Sequence, residues 1–545
     1  MITLLALLAA PMGCYRDTTI TALDVSYANE VKWKSYLKVR TADPSEEIDT
    51  TQTQISNVSP ELAIAKVNQA LESADADLGY RLSTVFQIAE NNFAYAVTGM
   101  VVDGHYYYVA MLDYPPGNET HAAFEQTKGT IPAVAVVDAE DETKPAWIRT
   151  ADAKGVPYAI MLRFTAQANW DNGTIEWYLR NHGYRYGIIG CNRLENPTLE
   201  MDDDWRPYFT VSYEQDDACG GTIGTFYYPT KLLVVDAQDD DIKEYALDNP
   251  NTTDADERSK DVPAWVDQVY SPNLALDWID QWGQNTDNYG KTSELNEFQA
   301  DGKHVDQVMS GDNTHLVFVS YMTSMHVDDS VIGVMVFDPR VGTATFYNAQ
   351  GSKRAMATKT AAINAIKQAT HRWDYGVDDL TLHTIFGVHT WEGVLSRPAV
   401  NNNGHELGSV YAGTVLLKAD ADVKPANVMW ATSKHEAFTK YEQHLYLSQT
   451  ERVGSNALTD SEISGTIDRV TPIVVQGDTN YLVQLEGHPG ETWDVQIGYI
   501  GDPRTEDILL AQTGAKVHLR YGDPHNRKTY FTREVTLLPE TPAGE

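Results

Sequence analysis

Four stretches of the chain share one pattern, in which an apolar, largely β-branched run ends at or near an Asp and a polar turn. They are residues 134–138, 231–236, 334–338 and 413–420. Apolar runs on both sides of a short polar turn, as at 231–247, favour a β-hairpin over a helix. The turn Asps lie roughly 80 to 100 residues apart, which indicates serial modules. Two copies are followed by Pro-Ala-Trp, at 145–147 and 263–265.

Helix signals alternate with these hairpins. Ser59 and Ser271 each precede a proline, which predicts a capped helix start at both places. Ser433 and Glu436 form a capping box, and the alanine-rich stretch 355–369 predicts a further helix. Helices alternating with antiparallel hairpins predict an α+β, β-rich fold.

The chain divides into several domains because 545 residues are too many for one hydrophobic core. From 463 onwards, short strands separated by Gly, Pro and Asp turns predict a small β-barrel. The expected divisions are a signal or anchor at 1–14, an N-terminal strand and tether at 15–57, first α+β modules at 58–200, a central α+β module at 201–300, a third α+β region at 301–460 and the barrel at 461–545.

An excess of acid marks the composition: 77 Asp and Glu face 41 Lys and Arg, for a net charge of −36. Such a surface repels phosphate backbones and anionic lipid headgroups, so we expect no nucleic-acid partner. The 30 Tyr and 12 Trp could line a carbohydrate-binding face. However, Trp147 and Trp265 recur at matching positions, which favours a role in core packing.

The N-terminus predicts export. Residues 1–10 are uncharged and apolar, too short for a membrane span but suited to a signal peptide. Gly13-Cys14 resembles a bacterial lipoprotein signal, which implies lipid attachment at Cys14 and anchoring of an extracytoplasmic protein. Pro11 departs from the usual leucine, so another export signal, an uncleaved anchor, or a mis-assigned start codon with no export stays open.

Two further cysteines, Cys191 and Cys219, could close one disulfide in an oxidising compartment or remain buried thiols. The chain contains no Cys-x-x-Cys, which argues against zinc ribbons and thioredoxin-type chemistry.

The modules resemble PepSY-type domains on residues 234–245 and 334–347, where a strand ends in an Asp before a short turn into the next strand. That resemblance implies a binding or inhibitory domain of a secreted or membrane-anchored bacterial protein. The family's turn has a Gly four residues after the Asp, which Gly342 supplies once. The other copies differ there, with Asp240, Glu142 and Lys424. The last domain is similar to an OB-type barrel, which we interpret as a structural or protein-contact unit because nucleic-acid binding needs a basic groove and acids outnumber bases here.

Catalytic motifs such as Gly-x-Ser-x-Gly, a Walker loop, a dinucleotide fingerprint and His-Glu-x-x-His do not occur. The densest set of metal or acid–base candidates is His304, His315, His326, Asp328, Asp329, Asp338, His371, His383 and His389. Their spacing supports no site, so hydrogen-bonded histidines at strand ends are the preferred interpretation. If a metal is bound, we expect its ligands among His326, Asp328, Asp329, His383 and His389.

Acidic turns could gather calcium, but none follows the spacing of a dedicated calcium loop. The acids concerned are Asp236, Asp239, Asp240, Asp241, Asp420 and Asp422.

These observations predict a non-catalytic protein without a cofactor, anchored to the envelope or extracellular, that binds or scaffolds protein partners or self-associates. Two alternatives remain. One is a structural component of a virion or surface assembly, and the other is a metal-dependent hydrolase that uses the histidines of 304–405.

Overall fold

The computed structural model describes residues 37–43, 46–51, 55–56, 58–73, 81–89, 97–114, 119–163, 174–184, 192–194, 197–216, 227–239, 241–247, 259–284, 298–301, 305–324, 330–348, 356–371, 375–400, 406–419, 423–448, 460–475, 478–496, 505–522 and 529–539. Within these ranges the α-helices are α1 Pro60–Ser73, α2 Leu82–Val85, α3 Glu119–Thr127, α4 Ile175–Asn181, α5 Pro272–Gln284, α6 Lys359–Thr370 and α7 Lys434–Leu447. Short 3-10 helices cover Pro425–Asn427 and Glu506–Leu509.

The strands fall into four open sheets and one barrel. The first sheet contains β2 Gln87–Ile88, β3 Thr98–Val102, β4 His105–Asp113, β5 Val134–Asp138 and β6 Trp147–Arg149. The second contains β7 Asn192–Leu194, β8 Thr198–Met201, β9 Pro207–Asp216, β10 Tyr227–Asp236 and β11 Ile242–Ala246. The third contains β1 Lys38–Thr41, β12 Phe298–Ala300, β13 Asp306–Met309, β14 Leu316–Ser324, β15 Ser330–Asp338, β16 Thr343–Asn348 and β17 Met356–Ala357.

In the fourth sheet, strands that are consecutive in the chain are also neighbours in the sheet: β18 Gly376–Ile385, β19 Val388–Val400, β20 Glu406–Lys418 and β21 Val428–Ala431. The barrel closes in the order β22-β23-β24-β26-β25. Its strands are β22 Asp460–Val475, β23 Asp478–Leu485, β24 Thr492–Gln496, β25 Lys516–Gly522 and β26 Thr529–Leu537. The predicted α+β, β-rich fold with a small C-terminal barrel is therefore confirmed.

Several helices lie between successive groups of strands, and the starts of three of them follow from local sequence. The Ser59 hydroxyl accepts a hydrogen bond from the Leu62 amide at 3.1 Å, which caps α1. The Ser271 hydroxyl caps α5 in the same way, and the Ser433 hydroxyl caps α7 by accepting from the Glu436 amide. These three helix starts are where the capping signals predicted them.

An Asp103-Gly104 turn joins β3 to β4 in a hairpin. Both turn residues have positive φ, 52° and 76°, which a tight two-residue hairpin turn requires and which Gly adopts without strain.

The Asp-tipped hairpins have matching surroundings in the first and second sheets. Asp138 lies opposite Tyr107, and Asp236 lies opposite Tyr208. Each of these tyrosines packs against the tryptophan of the downstream Pro-Ala-Trp: Tyr107 meets Trp147 with 6.0 Å between ring centroids, and Tyr208 stacks on Trp265 at 4.7 Å. The recurring sequence thus forms a recurring packing unit.

The fourth sheet shares the backbone part of this arrangement. Three alanines each directly follow the last residue of a strand: Ala139, Ala237 and Ala419. The amide of each alanine donates to the carbonyl of the residue that precedes the cross-strand partner of that last residue. In the fourth sheet that strand end is Lys418, opposite Thr390, so a lysine occupies the position that Asp holds elsewhere.

The segment expected to be a tether is largely buried where the structure describes it. Ile48, Thr50, Thr51 and Ile55 are each at most 2% exposed. We call residues 46–51 and 55–56 the N-terminal segment. Its acidic, threonine-rich composition predicts a tether or loop, but its amides form hydrogen bonds to residues of the third and fourth sheets.

The cores are shared between neighbouring sheets. One apolar cluster combines the first and second sheets, another combines the second and third, and a third combines the third and fourth. The barrel has a core of its own and meets the rest of the chain through α7, whose Gln443 side chain donates to Asp494. None of the described helices is long and apolar enough to cross a membrane.

Candidate functional site

Several residues singled out from the sequence lie outside the described ranges. They are Cys14, Cys191, Cys219, His304, His326, Asp328, Asp329, Asp240, Asp420 and Asp422. The lipid attachment, the disulfide and the part of the metal hypothesis that rests on these residues stay predictions.

Of the five expected metal ligands, His383 and His389 lie in the described ranges, and their side chains do not converge. His383 lies opposite Thr390 on neighbouring strands, and Thr384 lies opposite His389. Because successive side chains of a strand alternate between faces, the two imidazoles lie on opposite faces of the fourth sheet. In the part of the chain that the structure describes, no three His, Cys, Asp or Glu side chains form a group suited to a metal ion.

The other two described histidines among the metal or acid–base candidates, His315 and His371, are also separate from each other. The Nε2 atom of His315 lies 3.3 Å from the Oδ2 atom of Asp338. His371 is an exposed residue at the end of α6, with a left-handed backbone.

The turn Asps bind protein groups on both carboxylate oxygens. In Asp138 and Asp236, Oδ1 accepts two backbone amides of the turn, while Oδ2 lies 2.6 Å from a basic nitrogen, that of Lys144 or Arg206. Asp338 accepts from the Arg340 amide and pairs with His315. These contacts give Asp138, Asp236 and Asp338 a structural role in their turns.

A different set of buried polar groups lies where the first, third and fourth sheets meet. Two small cavities occupy this place, and both are lined by Asp379. The first also has Ser56, Tyr106, Thr381, His383 and Glu392 in its wall, and the second has Tyr108, Asp306 and Gln307. We call this region the junction site.

Asp379 is held in the junction site by an irregularity of β18. The pairing of β18 with β19 shifts register between Asp378 and Thr381, and Asp379 has a φ of +49°. Bulges of this kind redirect a side chain, and Asp tolerates the left-handed region better than most residues. Burial, followed by the charge of Asp306, raises the pKa of Asp379 to about 7.

Glu392 lies across the ladder from Thr381 and is 2% exposed. Its Oε1 atom is buried and receives no hydrogen bond from the residues that the structure describes. Burial raises the pKa of Glu392 well above its usual range, while Lys434 acts in the opposite direction. The Lys434 Nζ atom donates to the Ile55 carbonyl at 2.7 Å.

His383 completes this wall as a neutral group. Burial, with a smaller contribution from Lys434, lowers the pKa of His383 to about 3. Its Nδ1 atom lies 3.1 Å from the Thr50 hydroxyl, so the N-terminal segment covers the ring.

A second buried carboxyl pair joins the first and second sheets. Glu200 accepts the amides of Asp267 and Gln268, and Asp267 accepts the Val101 amide at 2.6 Å. Burial raises the pKa of both carboxyls. All three hydrogen bonds join residues from separate segments of the chain, so the Glu200–Asp267 pair connects the first and second sheets.

Sequence reasoning did not identify Asp379, Glu392, Glu200 or Asp267. A usable signal existed for two of them: Glu200 and Glu392 are single acids within otherwise apolar or neutral strand sequence, Thr-Leu-Glu-Met and Thr-Trp-Glu-Gly. An acid inside a strand is buried only when paired or protonated, which marks such positions for attention.

The junction site has the groups of an acid–base centre but not the space. Its cavities measure about 10 and about 30 Å³, which is room for about one and about two water molecules. A substrate needs a cleft of several hundred cubic ångströms. The chain matches no protein-family model, and no curated protein is significantly similar to it.

Proposed function

We propose that this chain is a non-catalytic binding or scaffolding protein, anchored to the envelope or extracellular, built from interlocked β-rich modules. The observation that carries the proposal is the size of the junction site. The described residues that most resemble an acid–base centre enclose water-sized cavities and hold sheets together.

The PepSY-type resemblance remains part of this proposal and implies a protein or peptide partner. The matching Asp turns and Tyr–Trp contacts of the first two sheets support a modular binding protein, since repeated units present several similar surfaces.

A protein-contact role for the barrel agrees with its aromatic residues. Trp493 stacks on Tyr530 at 5.2 Å, and Tyr530 meets Tyr521 at 5.0 Å. Trp493 is 1% exposed, and the rings pack on one another. Nucleic-acid binding by such a barrel requires aromatic faces open to bases, together with a basic groove.

Anchoring is tested by producing the full chain in a bacterial host and fractionating the cells. We expect the wild type in the membrane fraction, with an intact mass that reports cleavage before Cys14 and added acyl chains. Cys14→Ser is expected in the soluble extracytoplasmic fraction with no acyl mass. An unprocessed wild-type chain in the cytoplasm would contradict the proposal.

Light scattering of the purified chain separates a monomeric binding protein from an assembly component. A monomer at micromolar concentration supports the first, and concentration-dependent growth supports the virion or surface-assembly alternative. The hydrolase alternative requires a bound transition metal, so stoichiometric zinc, manganese or iron in the purified protein would favour it over a scaffold.

A further inference from the structure

The junction site is formed by elements from distant parts of the chain. Tyr106 comes from β4 of the first sheet, Asp306 from β13 of the third, and Asp379 and Glu392 from β18 and β19 of the fourth. Ser56 belongs to the N-terminal segment, and its hydroxyl lies 2.7 Å from the Val58 carbonyl and 3.3 Å from the carbonyl of Ala139, directly after β5. Whatever occupies the cavities therefore contacts three sheets at once.

The N-terminal segment closes the site by bonding to all three sheets. The Ile48 amide donates to the Thr384 hydroxyl at 3.0 Å, and the Thr51 amide donates to the Met309 carbonyl at 2.9 Å. Together with Ser56, these contacts link the fourth, third and first sheets to the N-terminal segment. Loosening the junction site would therefore loosen the N-terminal segment as well.

The cavities favour water as their occupant. Their walls carry hydroxyls and carboxyls, and Glu392 Oε1 is a buried acceptor without a hydrogen-bond donor. Buried polar atoms in natural proteins are nearly always satisfied by protein groups or ordered water. The volumes of about 10 and about 30 Å³ suit about one and about two water molecules.

The same walls disfavour two ionised carboxylates. No described group donates a hydrogen bond to either the Asp379 or the Glu392 carboxyl. Lys359 is already bound to Asp306, with Nζ–Oδ distances of 3.1 and 3.2 Å, and the Lys434 ammonium bonds a carbonyl. An ionised carboxylate without such donors is costly to bury.

Charged and titratable groups face the two carboxyls from every neighbouring element. Asp379 is within electrostatic reach of Glu61 on α1, Tyr108 on β4, Asp306 on β13, Tyr321 on β14, Lys359 on α6, Asp378 on β18 and Glu392 on β19. Glu392 is also near Lys434 on α7 and Tyr411 on β20, and it shares a cavity wall with His383 and Tyr106. Acids and phenols outnumber the two lysines, so this surrounding favours protonated carboxyls.

We propose that the two cavities form one internal site that binds ordered water and two protons, one each at Asp379 and Glu392. Loss of these protons at alkaline pH weakens the docking of the first, third and fourth sheets. The site thereby makes the cohesion of the modules depend on pH.

The direction of the pH dependence follows from the number of protons that the folded and the unfolded chain bind. The pKa of both carboxyls is raised in the folded chain, so between the unfolded pKa and the folded pKa the folded chain holds more protons. Its stability therefore falls as pH rises through that window. The lowered pKa of His383 has the opposite effect, but only between about 3 and 6.5, so His383 does not oppose the two carboxyls above that range. The raised pKa values of Glu200 and Asp267 act in the same direction, so the Asp379 and Glu392 variants are needed to separate the two carboxyl pairs.

Hydrogen exchange of the full chain between about pH 6 and about pH 9 tests the proposal, after correction for the intrinsic exchange rate. We expect protection of β4, β18 and β19 to fall with pH by up to about tenfold per unit for each proton released. The barrel strands, which contain none of the junction residues, serve as the internal reference. Constant protection of the junction strands across this range would overturn the proposal.

Asp379→Asn and Glu392→Gln remove one titrating group each while keeping side-chain shape, and Asn tolerates the positive φ of residue 379. For the junction strands β4, β18 and β19, each variant is expected to reduce the slope of the logarithm of protection against pH by about one, which corresponds to one proton. Asp494→Asn is the matched control, because Asp494 is a barrel carboxyl bonded by Asn480 and Gln443. Unchanged pH dependence in both junction variants would refute the assignment.

Calcium distinguishes protons from a metal ion at the same carboxyls. At the alkaline end, about 1 mM calcium is expected to leave the protection of β18 and β19 unchanged. If calcium restores protection in the wild type but not in Asp379→Asn, the site is a cation site and the proton proposal fails.

Discussion

Each oxygen of the Asp236 carboxylate has its own partners. Oδ1 accepts the amides of Gln238 and Asp239, which shapes the turn, and Oδ2 receives Arg206 Nε at 2.6 Å. The side chains of Asp138 and Lys144 repeat this division one module earlier. At the residue scale, the recurring Asp is therefore explained by turn geometry and a charged partner.

Asp236→Asn is expected to lower the free energy of unfolding by about 1–3 kcal/mol, because the amide can still accept turn amides but cannot pair with Arg206. Denaturation by urea, followed by tryptophan fluorescence, measures the change. Asp241→Asn is the control, since that side chain is exposed on the same turn and should change stability little. Equal losses in both variants would remove the special role of Asp236.

The N-terminal segment shows what an element gains from its neighbours. Nothing in its own sequence would order it, because it is short, polar and without periodicity. Its order comes from bonds such as those of the Ile48 and Asp49 amides to Thr384 and Tyr347, each about three hundred residues away. Contacts over that separation cannot be deduced from local composition.

Ile48→Ala is expected to destabilise the chain by about 2–4 kcal/mol through the cavity that it leaves, since Ile48 is 2% exposed. Ile48→Val is the matched variant, with an expected loss of about 0.5–1.5 kcal/mol. Calorimetry of both would report the difference. A solvated tether would instead leave the melting temperature unchanged in either variant.

Charge acts on the whole molecule. A net charge of −36 over 545 residues creates self-repulsion that opposes the compact state. Sodium chloride screens this repulsion, because the screening length falls from about 10 Å at 0.1 M to about 3 Å at 1 M.

We therefore expect the melting temperature to rise by several degrees, roughly 3–8 °C, between about 0.05 and about 1 M sodium chloride. A sucrose series separates screening from preferential exclusion, since sucrose does not screen charge. A melting temperature that falls with salt would show that attractive ion pairs, such as that of Arg206 with Asp236, outweigh the repulsion.

The sequence by itself determined the secondary structure class, the helix starts at Ser59, Ser271 and Ser433, and the Asp-tipped hairpins. Each of these depends on residues within one turn of the chain, where hydrophobic period and capping chemistry act locally. Only the tertiary structure decided that Asp379 and Glu392 line one cavity, and that the N-terminal segment lines it as well. Their burial, and hence their protonation, depends on sheets that meet across hundreds of residues, and no local pattern records that meeting.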